Sequence, residues 1–472
     1  MPGRLVGGRF VMTDSQGSPT PDDLRPTWSR SGRRLPRRVV QPLQAFLRTE
    51  TSSAVLLLGA GAIALVWANS PWRDGYEDLW RTVLTIRVGD WSITEDLRHW
   101  VNDGLMSLFF LVVGLEIKRE FLIGELRDRR AAALPVLAAL GGMVVPALIY
   151  LALNAGGEGS NGWGIPMATD IAFAVGVLTI AARNAPAGLR PFLLTLAIVD
   201  DIGAIVVIAF FYSGGVSAVP LLVAAMIVVT MLALQRFDVR ATAVYLVLGV
   251  ALWVALFESG MHPTIAGVIL GFLTPAEPFQ RPGAVSEEAI KTAEATMDEP
   301  DPPDADAPQW LRLAWLSREA VSPLARVEAA LHPWTSYVVV PLFALANAGI
   351  ELSGEAIRRS ATSRVTLGVI LGLVVGKVIG ITGASMLAVR ARLGRLPPGL
   401  GSRSVLGVSA VAGIGFTVSL FITDLAFPEQ RLVDQAKIGI LVASVLASVL
   451  GFALLRASSR RDRRSVDAGR GG

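Results

Sequence analysis

Apolar residues run along most of this chain in blocks of about twenty, the length of helix that crosses a bilayer, and the charged residues collect between them. Twelve blocks are predicted as spans, near residues 52–69, 99–121, 132–153, 164–182, 191–212, 217–235, 242–257, 263–274, 335–350, 365–389, 404–424 and 437–456. The pattern therefore predicts an all-α polytopic membrane protein. One segment reads differently: Val83 to Val88, Gly89-Asp90 and Trp91 to Thr94 have the signature of two short strands around a two-residue turn, an external β-hairpin within 83–97. Such an exposed edge can pair with another copy of the chain.

The remaining segments set the domain organisation. Residues 1–50 carry nine arginines with Pro, Ser and Gly and no apolar run of signal-peptide type, which predicts a disordered basic cytoplasmic tail ahead of an uncleaved first helix. Spans one to eight occupy 51–274, and a cytoplasmic insertion follows over 275–333, with an acidic, proline-rich linker at 298–304. Trp310 to Leu331 reads as an interfacial helix. Spans nine to twelve fill 334–456, and 457–472 form a second basic cytoplasmic tail.

Composition agrees with a membrane setting: 52% of the 472 residues are apolar and 17% charged, with a mean hydropathy of +0.52, far from a soluble enzyme. The absence of cysteine rules out disulfides, thiolate metal sites and Cys nucleophiles, and His99, His262 and His332 are too scattered for a histidine metal site. The net charge of +4 follows topology and not a nucleic-acid patch. With both termini cytoplasmic, 33 of the 43 Lys and Arg fall on the cytoplasmic side, as the positive-inside rule expects, and Lys377 is the only basic residue read in the interior of a span, away from its ends. Arg358, Arg359 and Arg364 oppose the rule, softened by Glu351 and Glu355.

Chemistry must then come from ionisable groups inside the spans, each costing roughly 2.5–3.5 kcal/mol at a helix centre. Asp200 and Asp201 sit halfway along the fifth span, about 100° apart around the helix, so both can border one cavity. Their repulsion is relieved by a proton or a hard cation with oxygen ligands; a buried polar hinge is the competing reading. Gly162, Gly164 and Pro166 interrupt span four, leaving Thr169 and Asp170 at the N-terminus of a half-helix. Gly407, Gly413 and Gly415 interrupt span eleven ahead of Phe416-Thr417. Paired interruptions mark the binding region of inverted-repeat transporters, with spans 3–5 and 10–12 as the repeats. Lys377 stands out in a chain with four lysines and 39 arginines, because lysine can release a proton and arginine cannot; a salt bridge to Asp200 or Asp201 is a compatible role. Glu116, Arg119 and Glu120 lie within one turn at the cytoplasmic end of span two, where a solvated helix end is the plainer reading. Glu328, His262 and His332 read as helix-terminal or interfacial polar residues, and Asp103 is ambiguous.

Several runs together carry a resemblance. Met167 to Ala174, the Asp200-Asp201 pair, Gly114 to Glu120, Leu331-His332-Pro333-Trp334, Pro341 to Ala344 and Gly376-Lys377 resemble the NhaA-type sodium/proton antiporters over roughly residues 45 to 456. The resemblance implies twelve helices with inverted repeats, crossed broken helices four and eleven, and a dimer joined through the hairpin. It implies exchange of cytoplasmic Na+, or Li+, for external H+ by an electrogenic carrier in the bacterial plasma membrane, with no enzyme activity and no cofactor. By it, Asp200 and Asp201 bind the ion, Asp170 and Thr169 support the helix crossing, Lys377 is proton-coupled, and Glu116, Arg119, Glu120 and Glu328 form a pH-responsive cluster. The long acidic insertion, the basic tails and Ala329 beside Glu328, where some members carry histidine, depart from that pattern. A sodium-coupled symporter is the alternative, though no substrate-binding cluster of aromatic or basic residues is evident. An intramembrane aspartyl protease would draw its two carboxylates from different helices, and a channel would not show strict exchange.

Overall fold

The computed structural model describes residues 51–182, 186–239, 241–297, 307–397 and 400–470. The tail read at 1–50 and the linker at 298–304 lie outside these. In chain order the helices are α1 (Thr51–Ala68), α2 (Arg73–Trp80), α3 (Leu97–Ile123), α4 (Arg129–Asn154), α5 (Ile171–Ala181), α6 (Leu189–Phe211), α7 (Ala218–Arg236), α8 (Thr242–Ser259) and α9 (Thr264–Leu273). They continue with α10 (Pro282–Met297), α11 (Ala307–Glu319), α12 (Pro323–Asn347), α13 (Gly354–Thr362), α14 (Arg364–Arg390), α15 (Ser402–Val411), α16 (Phe416–Ala426) and α17 (Gln430–Arg470). A 3₁₀ segment, Ser160–Met167, precedes α5.

Eight of these helices, α3, α4, α6, α7, α8, α12, α14 and α17, are long and apolar enough to cross a membrane. Counting three bent pairs as spans raises the number to eleven among the described residues: α1 with α2 (117°), Ser160–Met167 with α5 (42°), and α15 with α16 (50°). The twelfth block predicted from sequence falls on α9, an apolar helix of ten residues.

The hairpin forms β1 (Val83–Val88) and β2 (Trp91–Asp96), antiparallel with Val83 opposite Asp96 and Val88 opposite Trp91, two residues longer in β2 than the sequence reading. Gly89 takes φ 63°, which a II′ turn demands of its first central residue. All of β1 is exposed.

Two boundaries differ from the sequence reading. The helix expected over Trp310 to Leu331 is divided, because Ser322 Oγ accepts the Ala325 N–H at 3.2 Å and Pro323 takes the first helical position, a start signal inside the apolar pattern. The spanning helix α12 therefore begins at Pro323 rather than near 335.

Glycines let the central helices touch backbone to backbone. A Cβ on Gly380 would come within 2.1 Å of the Gly141 carbonyl oxygen, and one on Gly376 within 2.8 Å of Pro146 Cα. With Gly372 these are spaced by four along α14, the small-residue seam that allows close helix approach in a bilayer. The seam presses α14 against α4. A π-helical segment, Gly372–Gly376, ends directly before Lys377, a wide turn of a kind common at functional positions.

Candidate functional site

The two broken elements satisfy each other's free backbone groups. Asp170 caps α5, accepting the Phe173 N–H through Oδ1 at 3.2 Å. Its other oxygen accepts the Thr417 N–H at 3.1 Å and the Thr417 hydroxyl at 2.8 Å, so one carboxylate serves the N-terminal turns of both α5 and α16. The helix dipoles there favour negative charge. Thr169 Oγ1 lies 2.9 Å from the Ala412 carbonyl oxygen at the end of α15, and Ser419 Oγ donates to the Ile165 carbonyl at 2.7 Å. The Asp170 N–H donates to the Ile414 carbonyl at 2.6 Å. Non-helical backbone at such a depth is tolerated only where protein supplies these partners.

Beside this crossing, α6 presents Asp200 and Asp201, and α14 presents Lys377. Lys377 Nζ donates to Asp200 Oδ2 at 2.5 Å and to Thr169 Oγ1 at 3.0 Å, with both charged side chains fully buried. The Thr169 hydroxyl also points to Asp200 Oδ2 at 2.7 Å. It has one proton and two acceptors, Asp200 and the Ala412 carbonyl, so it can switch between them. Lys377 thus takes Asp200 and not Asp201 as its partner. Asp201 is 5% exposed, and its side chain accepts no hydrogen bond from a described residue. Its Oδ1 and that of Asp200 are both buried without a partner. The centre holds one ammonium and two adjacent carboxylates, leaving one negative charge uncompensated. An isolated buried carboxylate is costly, and either a proton or a small cation removes the cost. Among the described residues no three His, Asp or Glu side chains gather as a metal cluster. An ion seated here would therefore complete its shell from hydroxyl, carbonyl or water oxygen.

The residues grouped at the end of span two, with Glu328, are partly assembled. Arg119 Nη1 donates to Glu328 Oε1 at 2.8 Å, tying α3 to α12 on the wall of a cavity of about 780 Å³ that His332 also lines. Glu116 is half-buried and within electrostatic reach of both Arg119 and Glu328. Glu120 instead acts within its own stretch of chain, where its Oε1 accepts the Glu125 N–H at 2.7 Å and closes the turn after α3. His262 sits between α8 and α9 with Nε2 2.7 Å from the Tyr212 carbonyl oxygen, and burial pushes its imidazole below the ordinary range. The contact ties the turn between α8 and α9 to the residue that follows α6. The Asp103 carbonyl accepts from Trp253 Nε1 at 2.9 Å.

Sequence reasoning missed a second ion pair. Lys437 Nζ lies 2.8 Å from Asp424 Oδ1, both largely buried, linking α16 to α17. Lys377 is therefore not alone as a basic residue inside the helical bundle. The signal available was an acid and a lysine flanking one short turn.

Crossed broken helices at buried carboxylates, within a bundle of helices of spanning length, define a polytopic membrane protein of the secondary-transporter class. The chain belongs to the Na+/H+ antiporter 1 family, whose profile matches residues 44–455. It is 48% identical over 442 residues to Na(+)/H(+) antiporter NhaA 2 of Myxococcus xanthus, covering 92% of this chain and 94% of the relative. It is 47% identical over 434 residues to Na(+)/H(+) antiporter NhaA 2 of Sorangium cellulosum, covering 91% and 92%. The NhaA of Janthinobacterium sp. is 47% identical over 428 residues, covering 89% and 93%.

Proposed function

We propose that the chain exchanges sodium for protons across a bacterial plasma membrane, with Asp201 and Asp200 as the shared site. The observation that carries this reading is the pair of unpartnered buried oxygens, Asp200 Oδ1 and Asp201 Oδ1, beside a single lysine. One site that a cation and a proton occupy in turn gives exchange, provided that the empty site does not reorient. Thr169 and Asp170 hold the crossing that shapes the site, and Lys377 neutralises Asp200 when sodium is absent. Sodium drawn to the carboxylates competes with the ammonium, so entry of the cation and release of a proton from Lys377 or from the aspartates belong to one step. More than one proton per sodium makes the cycle electrogenic and lets the membrane potential contribute. Lithium, a small hard cation, substitutes for sodium.

In this reading α9 completes twelve crossings by seating its glycines on α3, where a Cβ on Gly267 would come within 2.1 Å of the Ser107 carbonyl oxygen. Both termini face the cytoplasm. Spans 3–5 and 10–12 are inverted repeats, supported by the reciprocal ties of Thr169 to Ala412 and of Ser419 to Ile165. Glu116, Arg119, Glu120 and Glu328 adjust activity to cytoplasmic pH, Arg119 and Glu328 from the wall of the α3–α12 cavity and Glu120 through the turn it closes. The exposed edge of β1 joins two copies. A sodium-coupled symporter is the competing reading.

Proteoliposomes with an imposed pH gradient, challenged with sodium, lithium and potassium, test the proposal. Sodium and lithium should dissipate the gradient, and Asp201→Asn or Asp200→Asn should abolish the response in a protein that remains folded. Robust exchange by either variant removes that residue from the site. Sodium uptake that requires an organic solute favours the symporter.

A further inference from the structure

We propose that α11 lies flat on the membrane surface, with Trp310, Leu311, Trp315 and Arg318 facing anionic phospholipid; the inference rests on the reading of α12 as a spanning helix. At about 100° per residue, Trp310, Ala314, Arg318, Leu311 and Trp315 follow one another over about 140° of the α11 surface. Every one of them is exposed, Trp310 by 48%, Leu311 by 71% and Trp315 by 53%. Part of the other side of the helix is already engaged. Leu313 and Leu316 are half-buried, and Arg312 pairs across 3.5 Å with Glu288 of α10. The exposed face thus points away from α10, and no described residue covers it.

Attachment fixes where that face can go. The Glu319 carbonyl accepts the N–H groups of Phe279 and Gln280, each at 3.0 Å, so the end of α11 is pinned to the start of the insertion. Glu319 Oε1 also accepts from Arg326 Nη1 at 3.1 Å, which pins it to the first turns of α12. The Leu324 N–H closes the base on the Pro275 carbonyl at 3.0 Å. Since α12 enters the bilayer from Pro323, the three residues between α11 and α12 hold α11 at the level of the headgroups. Two tryptophans and a leucine in water would be an unusual surface. At the interface tryptophan is the favoured residue, and a helix with such a face lies in its plane. Arg318 stands near the middle of the apolar face and makes no ion pair among the described residues, which selects anionic over zwitterionic lipid. Through Arg326 and the same helix, a lipid-held α11 also positions Glu328, the partner of Arg119.

The chain has no cysteine, so single cysteines can carry a spin label in the full-length protein, in nanodiscs of phosphatidylcholine with or without phosphatidylglycerol. Three positions are labelled: Ala314→Cys on the face, Gln309→Cys on the opposite, exposed side of α11, and Val250→Cys on the exposed surface of α8. The label at 314 should be severalfold less accessible to a water-soluble relaxer than that at 309. Phosphatidylglycerol should widen the gap, and Arg318→Gln should remove that widening. Equal aqueous exposure at 314 and 309, with 250 buried in lipid, overturns the inference and leaves the membrane reading intact. Aqueous exposure at 250 as well overturns the membrane reading itself. Dipolar broadening between copies labelled at 314 assigns the face to a second protein molecule and overturns the lipid assignment. A gap indifferent to both phosphatidylglycerol and Arg318→Gln overturns the anionic preference.

Discussion

Lys377 is where stability and transport should separate most clearly. Its ammonium is fully buried, 2.5 Å from Asp200 Oδ2 and 3.0 Å from Thr169 Oγ1. At an effective dielectric of about 20 the attraction is on the order of 6 kcal/mol, most of it offset by the desolvation of both ions. Removing one partner still leaves the other charged in a dry interior, which costs about 3–5 kcal/mol. In Lys377→Ala, Asp200 keeps a single bond from Thr169 while Asp201 remains unpartnered, so thermal stability should fall by several degrees. Lys377→Arg keeps the positive charge and should retain most of the stability. The arginine cannot release its proton, however, so its exchange profile should move to higher pH or show fewer protons per sodium. Melting temperature in detergent, measured beside pH-resolved exchange in proteoliposomes, reads both effects. A Lys377→Ala protein with unchanged melting temperature and unchanged pH profile would refute the pairing and the proton role together.

Three further expectations follow from the geometry. Asp170→Ala removes the shared cap of α5 and α16 and should destabilise by about 2–4 kcal/mol, while Asp170→Asn retains part of the bonding; equal melting temperatures for the two variants would contradict the shared cap. Deleting 282–317 spares the ties of Phe279, Gln280 and Glu319 and should leave the exchange rate in proteoliposomes intact, so loss of transport in a properly inserted deletion protein would give the insertion a part in the cycle. Asp424→Asn and Lys437→Met should each lower the melting temperature more than the double variant does, as expected when one buried charge is stranded; strictly additive losses would argue against coupling.

Much of this arrangement was legible in the residues, and for definite reasons. Glycine and proline interrupting an apolar run announce a broken helix because they leave backbone groups open, and the breaks lie at Ala168–Asp170 and Ala412–Gly415. The Gly89-Asp90 turn has one conformation to offer the flanking strands. Adjacent aspartates in an apolar helix admit few explanations. The choice of partner for Lys377 was not legible, since the two aspartates leave the helix about 100° apart and only the packing of α14 on α4 decides which one the lysine meets. The ties made by Thr417 and Ser419 were hidden because a hydroxyl in an apolar helix usually bonds its own backbone, as Thr423 does with the Ser419 carbonyl at 2.8 Å. Only the resemblance groups Glu120 with a pH-responsive cluster, and the turn that its carboxylate closes was hidden because it depends on the later course of the chain. The Gly372, Gly376 and Gly380 seam was present in the sequence, but a spacing of four gains meaning only once Pro146 and Gly141 are found opposite it.

The two buried lysines differ in whether their charge is balanced. Lys437 meets Asp424, one ammonium against one carboxylate, so the link between α16 and α17 balances in charge even though Asp424 Oδ2, like the free oxygens of Asp200 and Asp201, is buried without a partner. Lys377 meets one carboxylate beside a second, and the count fails by one. Asp170 does not enter that count, because two helix N-termini and the Thr417 hydroxyl already compensate it. The surplus is therefore confined to Asp200 and Asp201, and it can be met in two ways: by a proton on a carboxylate, or by a cation held on the two carboxylates with Lys377 still charged. Both are neutral arrangements of the same side chains, and one excludes the other. Adding a second cation at the centre would remove this competition. Ile202→Lys would place the new charge on the wrong side of α6, whereas Thr169→Lys would set it against Asp200, where Thr169 Oγ1 now lies at 2.7 Å. Thr169→Lys should therefore lose sodium-dependent proton movement with Asp200 and Asp201 both intact. Sodium exchange surviving in that variant would show that the charge surplus is not what the ions compete for.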